Sequence, residues 1–284
     1  MTIAITGSGG QLGFALVQQL GPQALGLDRA EFDLARPDGI EAALDRLRPR
    51  ALINCAAYTL VDQAEEERDQ CFAVNAQAVE RLAECCSERG IKLVQISTDY
   101  VFGGDQTRTV PYRESDDPAP LNVYGQSKLA GEQAAARCGG HLIVRVSGVH
   151  GLSPRASRNF VSTMLRLARE RDSLGVVADQ HCTPSYAGDL AIGIARLIEV
   201  GARGVVHLTN AGATTWHGFA CEIFQQLGLN MQVTAITSAE YPTPAQRPVY
   251  CVLDTTRFNE LTGSEMPSWQ AGIRAHLEQL QTGT

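Results

Sequence analysis

The stretch IAITGSGGQLG, residues 3–13, decides how the rest of the chain is read. IAIT is a short apolar run of buried-strand type, and the apolar spacing from Gln11 to Leu20 is that of a helix. Between them Gly7, Gly10 and Gly13 stand three apart. Gly7 permits a tight turn off the strand, Gly10 lets backbone approach a pyrophosphate, and Gly13 lets the helix sit close to the sheet. Exposed N–H groups at the helix start then face the phosphates. This strand–glycine–helix order predicts a dinucleotide site. The second strand ends at Asp28, where a carboxylate can bond a ribose 2′-hydroxyl, and Arg29 beside it can instead meet a 2′-phosphate. Asp28 favours NADH; NADPH stays open.

Working outward, apolar runs recur at ALGL (24–27), ALINC (51–55), KLVQIS (92–97) and LIVRVS (142–147), with amphipathic stretches at 11–20, 38–48, 63–89 and 123–138. Strands alternating with helices predict an α/β class of Rossmann type, a doubly wound parallel sheet. Residues 1–150 are expected to be the dinucleotide-binding domain. Residues 151–284 are expected to be mainly a smaller substrate-binding lobe over the sheet's carboxyl edge, with the chain free to cross between the two. A helical pattern spans 159–171, apolar segments lie at 175–178 and 204–209, and residues 214–228 predict a helix opened by a threonine cap.

Net charge is −7 without a basic stripe, which argues against a nucleic-acid partner. No apolar run reaches the roughly 18 residues of a membrane helix, and the first residues show no leader, so a cytoplasmic protein is expected. The eight cysteines form no CxxC pair and no zinc-ligand spacing, so they are expected to be reduced thiols, with Cys182 the one candidate for reactivity.

Only two of the 24 basic residues are lysines, and one of them closes the motif YGQSK, residues 124–128. Positions i and i+4 share a helical face, so Tyr124 and Lys128 can enter one cleft. A ketone that accepts hydride must also gain a proton. A phenol can give it, and a neighbouring ammonium is expected to lower that phenol's pKa. Ser97 and Thr98, at the carboxyl end of 92–97, offer a hydroxyl to hold the substrate oxygen. Strand alternation allows one of them to face the cleft, and Thr98 is the choice.

These segments, together with INCAAYTLVDQAE (53–65), VNA (74–76), PLNVYGQSKLAGE (120–132), TTWHGFA (214–220) and YPTPAQRPVYCVLDT (241–255), resemble the extended short-chain dehydrogenase/reductase superfamily, and within it the dTDP-4-dehydrorhamnose reductases. The resemblance runs almost end to end. It implies an NAD(P)H-dependent reductase of a nucleotide-linked 4-keto-6-deoxyhexose. Gly10, Gln11 and Leu12 would contact the pyrophosphate, Asp28 the adenosine ribose, Asp33 and Leu34 the adenine, and Ala57, Tyr58 and Thr59 the cofactor beyond the third strand. Tyr124 would donate the proton, with Lys128 as its partner and ribose contact and Thr98 as the orienting hydroxyl. Thr98 and Asp99 would touch the sugar. Asn159 and Arg247 are the candidates for the nucleotide.

Two departures from the family pattern stand out. Where relatives read Ser-Trp-Val-Tyr-Gly, this chain reads SGVHG (147–151), so an aromatic wall for the sugar must come from elsewhere, Tyr100 or Tyr186 being candidates. His150 is expected to be structural. Some relatives are dimers bridged by magnesium through a glutamate early in the first helix. Ala15 stands in that helix here, so no metal is expected, and the oligomeric state is left as monomer or homodimer. The acidic run 65–67 is expected to be a solvated helix start. The alternatives are a related reductase acting on another nucleotide sugar, or a catalytically silent cofactor-binding subunit.

Overall fold

The computed structural model describes residues 2–36, 39–155 and 159–282. The apolar runs of the first half become β1 (Ile3–Thr6), β2 (Ala24–Leu27), β3 (Ala51–Asn54), β4 (Lys92–Thr98) and β5 (Leu142–Val146). Between them lie α1 (Gln11–Leu20), α2 (Ile40–Leu47), α3 (Arg68–Phe72), α4 (Ala78–Glu88) and α5 (Val123–Ala135). The stretch expected as one helix over 63–89 is broken into pieces. A 3₁₀ turn at Gln63–Glu65 precedes α3, and a π-helical turn at Ala73–Gln77 joins α3 to α4.

The second half supplies β6 (Val149–His150), α6 (Phe160–Leu167), β7 (Ser173–Val177), β8 (His181–Cys182), β9 (Ser185–Tyr186), α7 (Ala187–Glu199), β10 (Gly204–His207), β11 (Thr214–Thr215), α8 (Trp216–Gln226), β12 (Gln232–Ile236), α9 (Thr256–Thr262) and α10 (Trp269–Thr282). The expected threonine cap is Thr215, whose hydroxyl accepts the Gly218 N–H at 3.1 Å.

The central sheet is six-stranded and parallel throughout, in the order β10-β5-β4-β3-β1-β2. Its sixth strand comes from 204–207, so the chain returns to the sheet well after residue 150. Strands covered on both faces read as near-continuous apolar runs, and β1 and β3 are buried along their whole length. One face packs Leu12 and Leu16 of α1 against Leu190, Ile194 and Leu197 of α7. The other packs Leu44 of α2, Leu82 of α4 and Ala135 of α5. A third core joins α6, α8, α10 and β7 through Val161, Phe219, Ile223 and Ile273. From β1 the chain turns to β2 on one side and then returns to β3 on the other. Strand order therefore reverses between β1 and β3, and a crevice opens at their carboxyl ends, where open α/β sheets bind ligands.

Candidate active site

Gly7 ends β1 at that crevice with φ +65°, and a Cβ there would stand 2.8 Å from the Ala56 nitrogen above β3. Only glycine fits both the turn and the contact. A Cβ on Gly13 would lie 2.3 Å from the Gly7 carbonyl oxygen, so this glycine sets how closely α1 sits on the loop. Gly10 is the N-cap of α1, has no side chain to cap it, and is followed by a first turn without acidic residues. The positive end of α1 thus faces the crevice.

From this loop a groove of about 1000 Å³ runs to the top of β4. It is lined by Gly7, Gly10, Gln11, Leu12, Gly13, Asp33, Leu34, Ala57, Tyr58, Thr59, Thr98, Asp99, Tyr100, Tyr124 and Lys128, all anticipated from the sequence. That volume matches the upper end of small-molecule sites. The glycine cradle and the uncapped helix start fit a dinucleotide pyrophosphate.

Helix α5 is locked against the groove by close approach. A Cβ on Gly125 would stand 2.2 Å from the Tyr100 carbonyl oxygen, and one on Gly131 would stand 2.1 Å from that of Asn75. Asn122 caps the helix by accepting the Gly125 N–H at 2.8 Å, and Glu65 accepts the Val123 N–H at 2.9 Å. The acidic run at 65–67 is therefore not merely solvated, since Glu67 also accepts the Tyr58 hydroxyl at 2.9 Å. Asn75, inside the π-helical turn, holds the Tyr58 peptide at both ends and donates to Ser127 of α5 at 2.9 Å. Such turns cluster at functional sites.

Lys128 is buried, and its ammonium donates to the Ile96 carbonyl at 2.7 Å. A buried polar chain reaches the same carbonyl from β1: Thr6 donates to Asn54 at 2.6 Å, Asn54 to Gln95 at 2.8 Å, and Gln95 to Ile96 O at 2.9 Å. Burial pulls the lysine pKa down to about 8, against the opposing pull of Glu132 one turn along. Glu132 also accepts the Ser97 hydroxyl and a bidentate pair from Arg145 at 2.9 and 2.7 Å. Ser97 touches the groove, but its hydroxyl is spent below it.

Thr98 is the hydroxyl turned to the reaction end. It donates to Asp99 at 3.1 Å, accepts the Tyr100 N–H at 3.2 Å and stands beside the Tyr124 phenol. The spacing of YGQSK led to the expectation of a phenol pKa lowered by its ammonium neighbour. Burial instead raises it above the ordinary value, and Thr98 supplies the counter-pull. Tyr124 therefore holds its proton at neutral pH, as a proton donor must. Asp99 is buried and burial raises its pKa, opposed by hydrogen bonds from Cys251, Ser147 and Thr98. The Tyr100 ring meets that of Tyr124 edge-on, with centroids 5.9 Å apart.

Several expected residues are engaged within their own chain. Asp28 does not line the groove: one oxygen accepts the Ala30 and Glu31 N–H groups at 2.8 and 3.2 Å, and the other faces Arg155 at 3.7 Å. Asn159 caps α6 by accepting the Ser162 N–H, and its amide donates to Gln11 and the Gly151 carbonyl, which leaves no donor for a nucleotide. Arg247 is held by Asp62 at 2.9 Å and the Ala245 carbonyl at 2.9 Å, and its charge acts on the Tyr100 phenol in the groove wall. Tyr186 points away from the groove and bonds Gln279, which leaves Tyr100 of the two aromatic candidates. Gly148 does line the groove. Its φ is +53°, and a Cβ would stand 3.0 Å from the Thr183 carbonyl oxygen, so a side chain on this backbone would be strained. Phe160 and Trp216, ring centroids 5.0 Å apart, form an aromatic wall that the sequence reading missed. The signal was an aromatic residue opening each of two helices.

Cys182 is buried and its thiol is pushed well up by that burial, which contradicts a reactive role. Among the described residues no His, Cys, Asp or Glu cluster is placed to hold a metal ion, and no helix is long and apolar enough to cross a membrane.

His150 is buried outside the groove, its Nδ1 3.0 Å from Nδ1 of His276. One ring donates and the other accepts, according to their tautomers. Burial lowers His150 to about 3 and His276 to about 4. Both folded values lie below the unfolded value near 6.5, so this stability is complete above pH 6.5 and is lost as pH falls towards 3. At pH 5 the loss should be roughly 4 kcal/mol for the pair. Denaturant titrations at pH 7.5 and 5 check this, with His150→Phe removing roughly half of the difference. A stability independent of pH over that range would contradict it.

A family model described as the RmlD substrate binding domain matches residues 1–282. A dTDP-4-dehydrorhamnose reductase of Shigella flexneri is 38% identical across 100% of this chain and 99% of its own length. One from Aggregatibacter actinomycetemcomitans is 40% identical over 97% of this chain and 99% of its own. Among solved structures, a dTDP-4-dehydrorhamnose reductase from Bacillus anthracis in complex with NADP superposes with a TM-score of 0.93 at 38% identity, covering 98% of this chain and 100% of that one. A Thermus thermophilus UDP-glucose 4-epimerase in complex with NAD, 21% identical with a TM-score of 0.85, shares the fold.

Proposed function

The chain belongs to the RmlD substrate binding domain family, that of the dTDP-4-dehydrorhamnose reductases, and from this premise we propose that it reduces the 4-keto group of a nucleotide-linked 6-deoxyhexose, dTDP-4-dehydrorhamnose to dTDP-L-rhamnose, with NADPH or NADH. The observation that carries the reading is the meeting of Thr98, Tyr124 and Lys128 in the groove that begins at the glycine loop. A silent subunit has no need of all three. We assign residues 1–150 chiefly to the dinucleotide and much of 151–284 to the nucleotide sugar, with support from Phe160 and Trp216 in the groove wall. We place the reaction in the cytoplasm.

A reduced nicotinamide, once bound, would supply the hydride. Gly10, Gln11 and Leu12 would hold the pyrophosphate at the start of α1, and Ala57, Tyr58 and Thr59 would flank the dinucleotide above β3. Thr98 holds the keto oxygen beside the Tyr124 phenol. As charge develops on that oxygen, Tyr124 passes it its proton, because an alkoxide is much the stronger base. The Lys128 ammonium then stabilises the phenolate left behind. Asp99 and Tyr100 border the sugar.

The test is the consumption of NADPH or NADH by purified protein, with the 4-keto nucleotide sugar present or omitted. Sugar-dependent oxidation with formation of the 6-deoxyhexose nucleotide supports the reading. Cofactor binding without turnover on any 4-keto nucleotide sugar would favour the silent subunit.

The lysine value also predicts a pH limb. Lys128 acts as the cation, so kcat/KM should fall as pH rises through about 8 in wild type. Lys128→Arg, charged throughout, should lose that limb whatever its absolute rate. A limb unchanged in this variant would remove the lysine from that role.

A further inference from the structure

The sheet face that carries α2, α4 and α5 is apolar through its middle, where Ala4, Leu52 and Leu93 stand side by side on β1, β3 and β4. Two residues further along the same strands the row becomes Thr6, Asn54 and Gln95, all buried. On the strands to either side it is apolar again, at Leu27 and Ile143. Burying three polar side chains in a row costs stability unless each is paired. Here each is paired, and the pairing has one direction. The Ile96 carbonyl can only accept, so Gln95 must present its NH₂ to it and its oxygen to Asn54. Asn54 must then turn its own oxygen to Thr6, and the Thr6 hydroxyl must donate.

Strand register alone asks only that these side chains satisfy one another. This row instead delivers its last donor to the oxygen that holds the Lys128 ammonium, 2.7 Å away. A carbonyl oxygen has room for two donors, and the pair fixes its direction, one from the strand and one from α5. None of the three row residues lines the groove. We propose that Gln95 is a positioning residue for Lys128, acting through the Ile96 carbonyl, and that Asn54 and Thr6 lock the orientation of its amide. The inference rests on the reductase reading and deepens it. The other groups that bear on the ammonium are Glu132 along α5, Cys55 after β3 and Cys71 on α3, with Tyr124 one turn before it on the same helix. The substitutions below leave all four in place.

The chain's only lysines are Lys92 and Lys128. Protein labelled with carbon-13 at lysine Cε therefore reports each ammonium by NMR across a pH titration, without turnover. In wild type the Lys128 signal should titrate near pH 8. Gln95→Met removes the donor to Ile96 and frees the carbonyl to turn. The ammonium then loses part of its bond, and the midpoint should fall by about one pH unit. Thr6→Val, at the far end of the row, should move it the same way by less. Gln95→Glu places a carboxyl group beside the ammonium and should move it upward. Lys92, which donates to the Ala202 carbonyl at the other end of β4, should titrate alike in every protein. The high-pH limb of kcat/KM should follow the Lys128 signal. If Gln95→Met does not fold, Thr6→Val and Gln95→Glu carry the test. A Lys128 midpoint common to all the proteins, or Lys92 shifts as large as those of Lys128, would overturn the positioning role and leave the reductase reading standing. The expected shifts in a protein that turns over no 4-keto nucleotide sugar would sink the reductase reading while the row's hold on Lys128 stood.

Discussion

Replacing Tyr124 by phenylalanine is expected to lower kcat by about 10²- to 10⁴-fold, the usual worth of a general acid, while NADPH affinity stays within about twofold of wild type. The prediction follows from what the hydroxyl does. It meets Thr98 at the reaction end of the groove, and burial keeps its proton in place at neutral pH. The ring packs edge-on to Tyr100 and touches the small cluster with Tyr58 and Cys71, contacts that phenylalanine retains. Fold and cofactor site should therefore survive, and the loss should fall on the chemical step. Stopped-flow single turnover together with a binding titration separates the two. A variant that turns over within tenfold of wild type would take the proton-donor role from Tyr124.

The second large effect concerns the charges beneath Lys128. Arg145 and Glu132 form a bidentate pair whose side chains are 4% and 5% exposed, and Ser97 also donates to Glu132. The Arg145 guanidinium also lies 3.3 Å from Nε2 of His207 and over the Phe102 ring, 5.0 Å from its centroid. Arg145→Met removes the partner and leaves a buried carboxylate one helical turn from Lys128. Breaking a buried pair in this way costs about 3–5 kcal/mol, because the remaining charge is uncompensated. Glu132→Leu combined with Arg145→Met should recover much of that loss, since apolar replacement of both partners removes the stranded charge. Urea unfolding of the single and double variants measures both. A single variant within about 1 kcal/mol of wild type would mean that water reaches Glu132.

Much of the first half was legible because strands buried on both faces announce themselves as apolar runs, and because the glycine loop carries steric demands. Gly7 and Gly13 meet backbone atoms at distances that admit no Cβ. Helical spacing was enough to bring Tyr124 and Lys128 to one groove. The break in the expected 63–89 helix was not legible, since its apolar period continues through the π-helical turn. What opens that turn is tertiary: Asn75 reaches across to the Tyr58 peptide and Ser127. The partners of Asp28, Asn159 and Arg247 within their own chain share a cause. Each residue type suits a ligand, but each has a nearer partner in its own chain, and no local pattern reveals which partner wins. The positive φ at Gly148 is similar, being set by the approach of Thr183 and Pro184 from a distant segment. The pKa of Tyr124 was misread for want of burial, which outweighs charge at that position.

Reduction with 4-deuterated NADPH, followed by mass spectrometry of the product, tests the central claim most directly. If Thr98, Tyr124 and Lys128 present a keto sugar to a nicotinamide in this groove, one deuterium should appear on the sugar carbon that bore the ketone, and oxidised cofactor should form in equal amount. Cofactor oxidation without deuterium in the sugar, or a product labelled at another carbon, would contradict it.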